Sequence, residues 1–150
     1  MLLSLIVWLG ALIFFPVVAQ TAFSVLPTRH LAGSVVGRSL GILHWMGMIS
    51  GAVFLASSLI YSRLSAGTPH GFATRNVLIC LMLVLTLVSQ FGIIPRMGTL
   101  RASIGEIDSV TADNPARLQF DALHRWSTRV EGGVLLLGLV VAYLTSRSLA

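Results

Sequence analysis

Charged residues divide this chain into long uncharged stretches. These lie before Arg29, between Arg38 and Arg63, between Arg75 and Arg96, and between Glu131 and Arg147. A run of about 20 mostly apolar residues is the length that a helix needs to cross a hydrocarbon core of about 30 Å. The pattern therefore predicts an all-α integral membrane four-helix bundle in one domain, residues 1–150. The predicted spans cover residues 2–23, 39–62, 76–95 and 127–146.

Apolar residues continue at helical spacing on both sides of the third loop. They are Met97, Leu100, Ile104 and Ile107 before the loop, and Leu118, Leu123, Trp126 and Val130 after it. Asn114 followed by Pro115 is typical of a helix N-cap and first helical position. Helices three and four are therefore predicted to extend past the membrane as a cytoplasmic helical hairpin, closed by a turn over residues 109–113.

The first apolar segment also has one feature of a signal peptide, because Val17, Val18 and Ala19 fit a small-residue cleavage site. However, no Arg or Lys precedes the segment, and its apolar run exceeds the usual length of about 7 to 15 residues. We expect the segment to remain as the first span. Sequencing the N-terminus of purified protein tests whether residues 1–19 are removed.

The arginines indicate how the protein is oriented. With four spans, one side of the membrane carries seven of them and the other side carries three. The seven are Arg29, Arg38, Arg96, Arg101, Arg117, Arg125 and Arg129; the three are Arg63, Arg75 and Arg147. Cytoplasmic loops are enriched in basic residues, so the side with seven is expected to be cytoplasmic. This predicts a protein of the inner (plasma) membrane with both termini outside the cytoplasm.

The composition supports a lipid environment and excludes several other classes of protein. Hydrophobic residues make up 55% of the chain and charged residues only 10%, against roughly 25% charged in a soluble domain. The net charge of +5 is not arranged as a basic stripe interleaved with aromatic residues, so nucleic acid is not an expected partner. No hydrolase, kinase, phosphate-loop or zinc-protease motif occurs, which favours a non-enzymatic role.

A few polar residues lie inside the predicted spans at similar depth. At about 1.5 Å per residue, Gln20, His44 and Gln90 each lie roughly 9 to 10 Å below the cytoplasmic boundary, and Glu131 lies just inside it. Polar groups in lipid are costly unless they face the bundle interior or water. We therefore expect a polar chamber of Gln20, His44, Gln90 and Glu131, open to the cytoplasm, with His124 and Arg125 at its mouth. The alternative is that these residues hydrogen-bond to one another only to fix the helix register.

A metal or haem site is a further alternative at His44. Soft thioethers suit copper(I), and Met48 is the methionine that shares a helical face with His44. Haem would need two axial ligands at similar depth, whereas His44 and His124 are roughly 15 Å apart in depth by the same counting. No cofactor is predicted, and copper or haem remain the alternatives.

Small residues on helix two favour close helix packing. Gly37 and Gly41 precede His44 on one stripe, and Gly47 and Gly51 form a small-xxx-small pair. Residues of this kind let helices approach closely in lipid. The stripe is expected to serve packing inside the bundle, with a homo-oligomer through these four glycines as the alternative.

Three functional hypotheses follow from these features. The leading one is a membrane protein whose inner-leaflet chamber binds or passes a small polar solute or cation. The second is a metal- or haem-binding membrane redox protein that uses His44 with Met48 or His124. The third is a structural or interaction protein that docks through its charged hairpin.

Three groups of residues carry a family resemblance. They are Trp8 to Ala11 with Phe15 to Ala19 and Val25 to Pro27; Pro95-Arg96 with Leu100-Arg101; and Phe120, Leu123, His124 and Ser127. As a set they resemble the four-helix transmembrane-protein-205-like family, a bacterial membrane domain of unknown function. The resemblance implies a four-span membrane protein and leaves its activity open. That family often has Asn near the position of Glu131, and this sequence departs from the pattern there.

The opening segment is also distantly similar to copper-resistance-D-like membrane domains and their haem-binding relatives. Members that hold a cofactor typically have a histidine in the first helix. Here the first helix has none.

Overall fold

A computed structural model describes residues 1–68, 71–106 and 109–149. Its helices are α1 (Leu2–Val25), α2 (Arg29–Ala66), α3 (Thr74–Val88), a π-helical turn (Ser89–Ile93), α4 (Ile94–Ile104) and α5 (Pro115–Leu149). The described ranges contain no strand, so the predicted all-helical fold is confirmed. Because α3, the π turn and α4 run on as one rod, four helical segments within these ranges are long and apolar enough to span a membrane.

The second helix starts ten residues before the predicted residue 39. Thr28 is its N-cap, and the Thr28 hydroxyl oxygen accepts a hydrogen bond from the Leu31 N–H at 3.2 Å. Such a cap satisfies one of the amide groups that every helix start leaves without an internal partner. Residues 29–38, expected as a loop, are therefore the first turns of α2, which then runs for 38 residues.

The last helix starts at Pro115, as predicted. The Asn114 side-chain oxygen accepts from the Ala116 N–H at 2.9 Å, which caps the helix. On the other limb α4 ends at Ile104, because Gly105 takes a left-handed φ of 68°. The predicted continuation to Ile107 falls on a position outside the described residues. α4 packs against α5, and α2 also contacts α4.

The bundle has a narrow core and a broad apolar surface. The core cluster joins all four spanning segments, through Leu5, Trp8 and Leu9 of α1, Phe54 of α2, Ile79 and Met82 of α3, and Val134 and Val141 of α5. Many apolar side chains face outward instead: Leu3 is 75% exposed and Val25 is 74% exposed. In water such a surface would drive aggregation, whereas in lipid it is the expected exterior. The chain is a multi-pass membrane protein.

Candidate functional site

His44 of α2 is the centre of the most polar contact inside the bundle. Its side chain is fully buried. Its Nδ1 atom lies 2.9 Å from Oε1 of Gln90, and its Nε2 atom lies 2.6 Å from Oε1 of Glu131. Both ring nitrogens therefore have hydrogen-bond partners, one from the π turn between α3 and α4 and the other from α5. We call His44, Gln90 and Glu131 the inner polar cluster.

The π turn positions Gln90. Pro95 has no backbone N–H, so the carbonyl four residues before it, at Phe91, loses its normal helical donor. The helix accommodates this by widening, and the Ile94 N–H donates to the Ser89 carbonyl five residues back. Single π turns of this kind are frequent at functional sites. The sequence points to Pro95 and its freed carbonyl but not to the π turn, which sets the direction of Gln90.

The 2.6 Å contact between His44 Nε2 and Glu131 Oε1 can accommodate one proton between the two atoms. The Gln90 amide oxygen can only accept a hydrogen bond. In this arrangement His44 Nδ1 therefore carries the hydrogen and donates it to Gln90. A second proton between Nε2 and the Glu131 carboxyl group then gives either an imidazolium with a carboxylate or a neutral ring with a carboxylic acid. Both arrangements have a net charge of zero, which is the least costly state for two ionisable groups away from water. The His44 side chain is 0% exposed and the Glu131 side chain is 17% exposed, so of the two only the Glu131 carboxyl group reaches the surface of the bundle.

The other three residues of the expected chamber lie elsewhere. Gln20 is exposed on α1, and within the described chain no hydrogen bond joins it to the inner polar cluster. α1 buries Leu5, Leu9 and Leu12, and continuing that stripe by seven residues reaches Ala19 rather than Gln20. Gln20, the residue of α1 that depth alone placed in the chamber, therefore lies outside the inner polar cluster.

His124 and Arg125 are also exposed, seven and six residues before Glu131 on α5. The His124 ring stacks on Phe120 with the ring centroids 6.5 Å apart and the planes at 2°. This contact turns His124 towards Phe120. At about 1.5 Å per residue, His124 lies about 10 Å along the helix from Glu131. The hydrogen bonds of the inner polar cluster within the described ranges include neither residue.

Metal ligation by His44 would require a rearrangement. Both of its ring nitrogens are already hydrogen-bonded, and Met48 one turn away is half-buried. Among the described residues, no group of three or more His, Cys, Asp or Glu side chains is placed to hold a metal ion. Copper or haem at this position stays an untested alternative.

The glycines of α2 have close neighbours within the chain. A Cβ atom at Gly37 would lie 3.3 Å from Arg101 Nη1, and one at Gly41 would lie 4.0 Å from Gln90 Oε1. A Cβ at Gly47 would overlap Trp8, and one at Gly51 would lie 2.7 Å from Leu83 Cδ2. These four glycines thus face α1, α3, the π turn and α4 within the bundle. A homo-oligomer through them remains a prediction.

A second set of buried polar side chains lies at the opposite end of the bundle. It comprises Ser58 and Ser62 of α2, Asn76 of α3 and Thr145 of α5, all buried, with half-buried Arg75. Arg75 Nε donates to Ser58 Oγ at 3.2 Å. We call this set the outer polar layer. The sequence pattern does not single out Ser58 or Asn76 as a polar site: Ser58 follows Ser57 within an apolar run, and Asn76 follows Arg75 at the start of one.

The two sets are separated by a constant length of helix. Ser58 follows His44 by fourteen residues, Thr145 follows Glu131 by fourteen, and Gln90 follows Arg75 by fifteen. Each interval is about 21 Å. Phe54, Ile79, Met82, Val134 and Val141 of the apolar core fill the interval.

Comparison with known proteins identifies a family without an assigned activity. No curated protein and no solved structure matches the chain. A family described as a domain of unknown function, DUF4149, matches residues 3–106. The match includes His44 and Gln90 and ends before Glu131. Because the match covers more than half of the sequence, the chain belongs to the DUF4149 family.

Proposed function

We propose that this chain is a non-enzymatic inner-membrane protein that binds a small cation, the proton foremost, at the inner polar cluster. The observation that carries the proposal is the 2.6 Å contact between His44 Nε2 and Glu131 Oε1. Histidine is the side chain whose charge most readily changes near neutral pH, and an ionisable pair inside a membrane bundle is expensive to keep without a function. The single proton between the two groups is the exchangeable ligand.

The contact fits a proton better than a metal ion. Zinc, for example, binds nitrogen and oxygen ligands at about 2.0 to 2.2 Å, so two tetrahedral ligands lie roughly 3.3 Å apart. The two atoms here are 2.6 Å apart, which is a charge-assisted hydrogen-bond distance. A metal ion would have to push them apart, whereas a proton already accounts for the distance.

The apolar interval bears on how such a proton would move. The interval of about 21 Å between the two polar sets is filled by core side chains. The buried polar side chains along it are few among the described residues: Ser50, Ser89 and Thr86, whose hydroxyl donates to the Met82 carbonyl. We therefore propose that the proton enters and leaves from the side of Glu131. Passage across the membrane would need the helices to separate around Phe54 and Met82.

The proposed orientation places the inner polar cluster in the cytoplasmic leaflet. The seven arginines at its end of the bundle support this assignment through the positive-inside rule. The contacting parts of α4 and α5, together with the first turns of α2, would then project into the cytoplasm. A reporter enzyme active only outside the cytoplasm, fused after residue 150, should be active. An inactive fusion, together with activity of the same reporter inserted after Gly105, would reverse the orientation.

The cation proposal is tested by counting protons. Purified protein in detergent is titrated from about pH 5 to about pH 8, and the difference between wild type and Glu131→Gln is recorded. We expect the numbers of protons exchanged by wild type and by Glu131→Gln to differ, because the variant removes one of the two groups that can hold the proton. His124→Gln is the matched control. Removing this exposed histidine should change the number of protons exchanged by the same amount in wild type and in Glu131→Gln. Wild-type and Glu131→Gln curves that coincide would contradict proton binding at this pair.

A further inference from the structure

Arg101 of α4 lies flat against the first turns of α2. A Cβ atom at Gly33 would be 3.1 Å from Nη2, and a Cβ at Gly37 would be 3.3 Å from Nη1. These distances are shorter than an ordinary Cβ contact, so a side chain at either glycine would force the guanidinium to shift. The two glycines therefore form a cradle on the α2 backbone that admits this arginine.

The other face of the guanidinium is covered by an aromatic ring. Arg101 Cζ lies 5.3 Å from the centroid of Phe120, a buried residue of α5, which is within the range of a cation–π contact. The planar group is thus held between the α2 backbone and the Phe120 ring. In this arrangement the orientation of the guanidinium is restricted on both faces.

The N–H edges of this guanidinium have no acceptor among the described residues. Arg101 Nε is buried and lacks a hydrogen-bond partner. Within the described ranges Arg101 forms no ion pair, and Glu131 of the inner polar cluster is bonded to His44. The side chain is still partly exposed. Nε is shielded, so the four N–H groups of Nη1 and Nη2 are the donors that an acceptor from outside the protein can reach.

The planar shape of the Arg101 guanidinium group and its location in the protein indicate the chemistry of the acceptor. A guanidinium edge matches two oxygens of a phosphate group in a bidentate contact. Arg101 lies six residues beyond Pro95, about 9 Å further along the helix, at the end that carries seven arginines. Anionic phospholipid headgroups are concentrated at such a boundary.

We propose that Arg101, held by Gly33, Gly37 and Phe120, is the binding site for one phosphate group, supplied by an anionic phospholipid headgroup. The site is independent of the inner polar cluster, and its ligand is an anion rather than a cation. Its selectivity comes from the clamped guanidinium and not from the total positive charge of this end.

The test compares three variants by native mass spectrometry of protein released from vesicles of phosphatidylcholine with phosphatidylglycerol. Arg101→Gln removes the guanidinium group. Gly33→Ala keeps the charge but displaces the guanidinium. Arg129→Gln is the matched control, because Arg129 has a similar cation–π contact, 5.5 Å from the exposed Trp126 ring, without a glycine cradle.

Wild type should retain one phosphatidylglycerol molecule. Arg101→Gln and Gly33→Ala should lower its occupancy at least about tenfold, and Arg129→Gln should leave it near the wild-type level. Circular dichroism of each variant distinguishes a loss of lipid binding from a loss of folding. If Arg101→Gln does not fold, lipid retention by Gly33→Ala tests the site instead.

A second arm adds inorganic phosphate to detergent-solubilised protein and measures thermal stability. Protection that is lost in Arg101→Gln, together with no preference for phosphatidylglycerol, would support the phosphate site and assign it a soluble source. Equal lipid retention by wild type, Arg101→Gln and Gly33→Ala without any phosphate protection that depends on Arg101, or retention lowered just as much by Arg129→Gln, would overturn the proposal.

Discussion

Two groups of polar side chains lie inside the bundle at different levels, and the two groups differ in what they can do. The inner polar cluster holds two groups that gain and lose protons, His44 and Glu131, in direct contact. The outer polar layer holds hydroxyl and amide groups with Arg75, whose guanidinium stays protonated. Both levels contain side-chain hydrogen bonds between helices. An imidazole beside a carboxyl group is suited to hold an exchangeable proton, so the difference favours the proposed binding role for the inner level and a packing role for the outer one.

The largest expected effect comes from breaking the inner pair on one side only. Glu131→Leu leaves His44 buried without its acceptor, and His44→Leu leaves the carboxyl group in the same position. Each should lower the free energy of unfolding by about 3 to 5 kcal/mol, while the double variant should recover most of the loss, because no unpaired charge remains. Thermal unfolding in detergent measures all three. Single variants as stable as wild type would mean that the pair is not energetically coupled.

A smaller loss is expected from the apolar interval that keeps the two levels apart. Gly51 lies halfway between His44 and Ser58, and a Cβ there would be 2.7 Å from Leu83 and 3.0 Å from Trp8. Gly51→Ala should therefore cost about 1 to 3 kcal/mol through overpacking. Gly10→Ala is the control, because a Cβ atom at this α1 position would have no described neighbour within 4 Å. Equal stability of both variants would show that the helices are not closely packed in this interval.

The smallest effect is expected in the outer polar layer. Ser58→Ala removes the hydrogen bond from Arg75, and its loss should be about 1 kcal/mol, the usual contribution of one such bond. The loss should be the same at acidic and neutral pH, because neither group changes its protonation there. Unfolding of Ser58→Ala at several pH values measures this. A pH-dependent difference would remove the distinction between the two levels.

Much of the inner polar cluster was accessible from the sequence. Counting residues from the span boundaries places His44 and Gln90 at one depth and Glu131 near them, and these three side chains meet. Depth alone could not place Gln20. α1 is apolar on all sides, so no contrast between its faces shows which one is buried, and Gln20 falls outside the stripe that packs.

Two other features were not predicted from the sequence. Residues 29–38 join α2 because Thr28 caps it and because Gly33 and Gly37 let Arg101 lie against the helix. The π turn reflects the backbone's response to Pro95 together with packing against His44. The sequence shows the proline, but the widened turn that results and the direction in which it points Gln90 depend on tertiary structure.

The proton shared by His44 and Glu131 can be observed in the nitrogen NMR spectrum of His44 in lipid bilayers, assigned by comparison with His44→Gln. If the proton is shared, the Nε2 signal is that of a nitrogen in a strong hydrogen bond, and it changes in Glu131→Gln. The same signal should be unaltered in Ser58→Ala and His124→Gln. A His44 Nε2 signal that is identical in wild type and Glu131→Gln would contradict the shared proton.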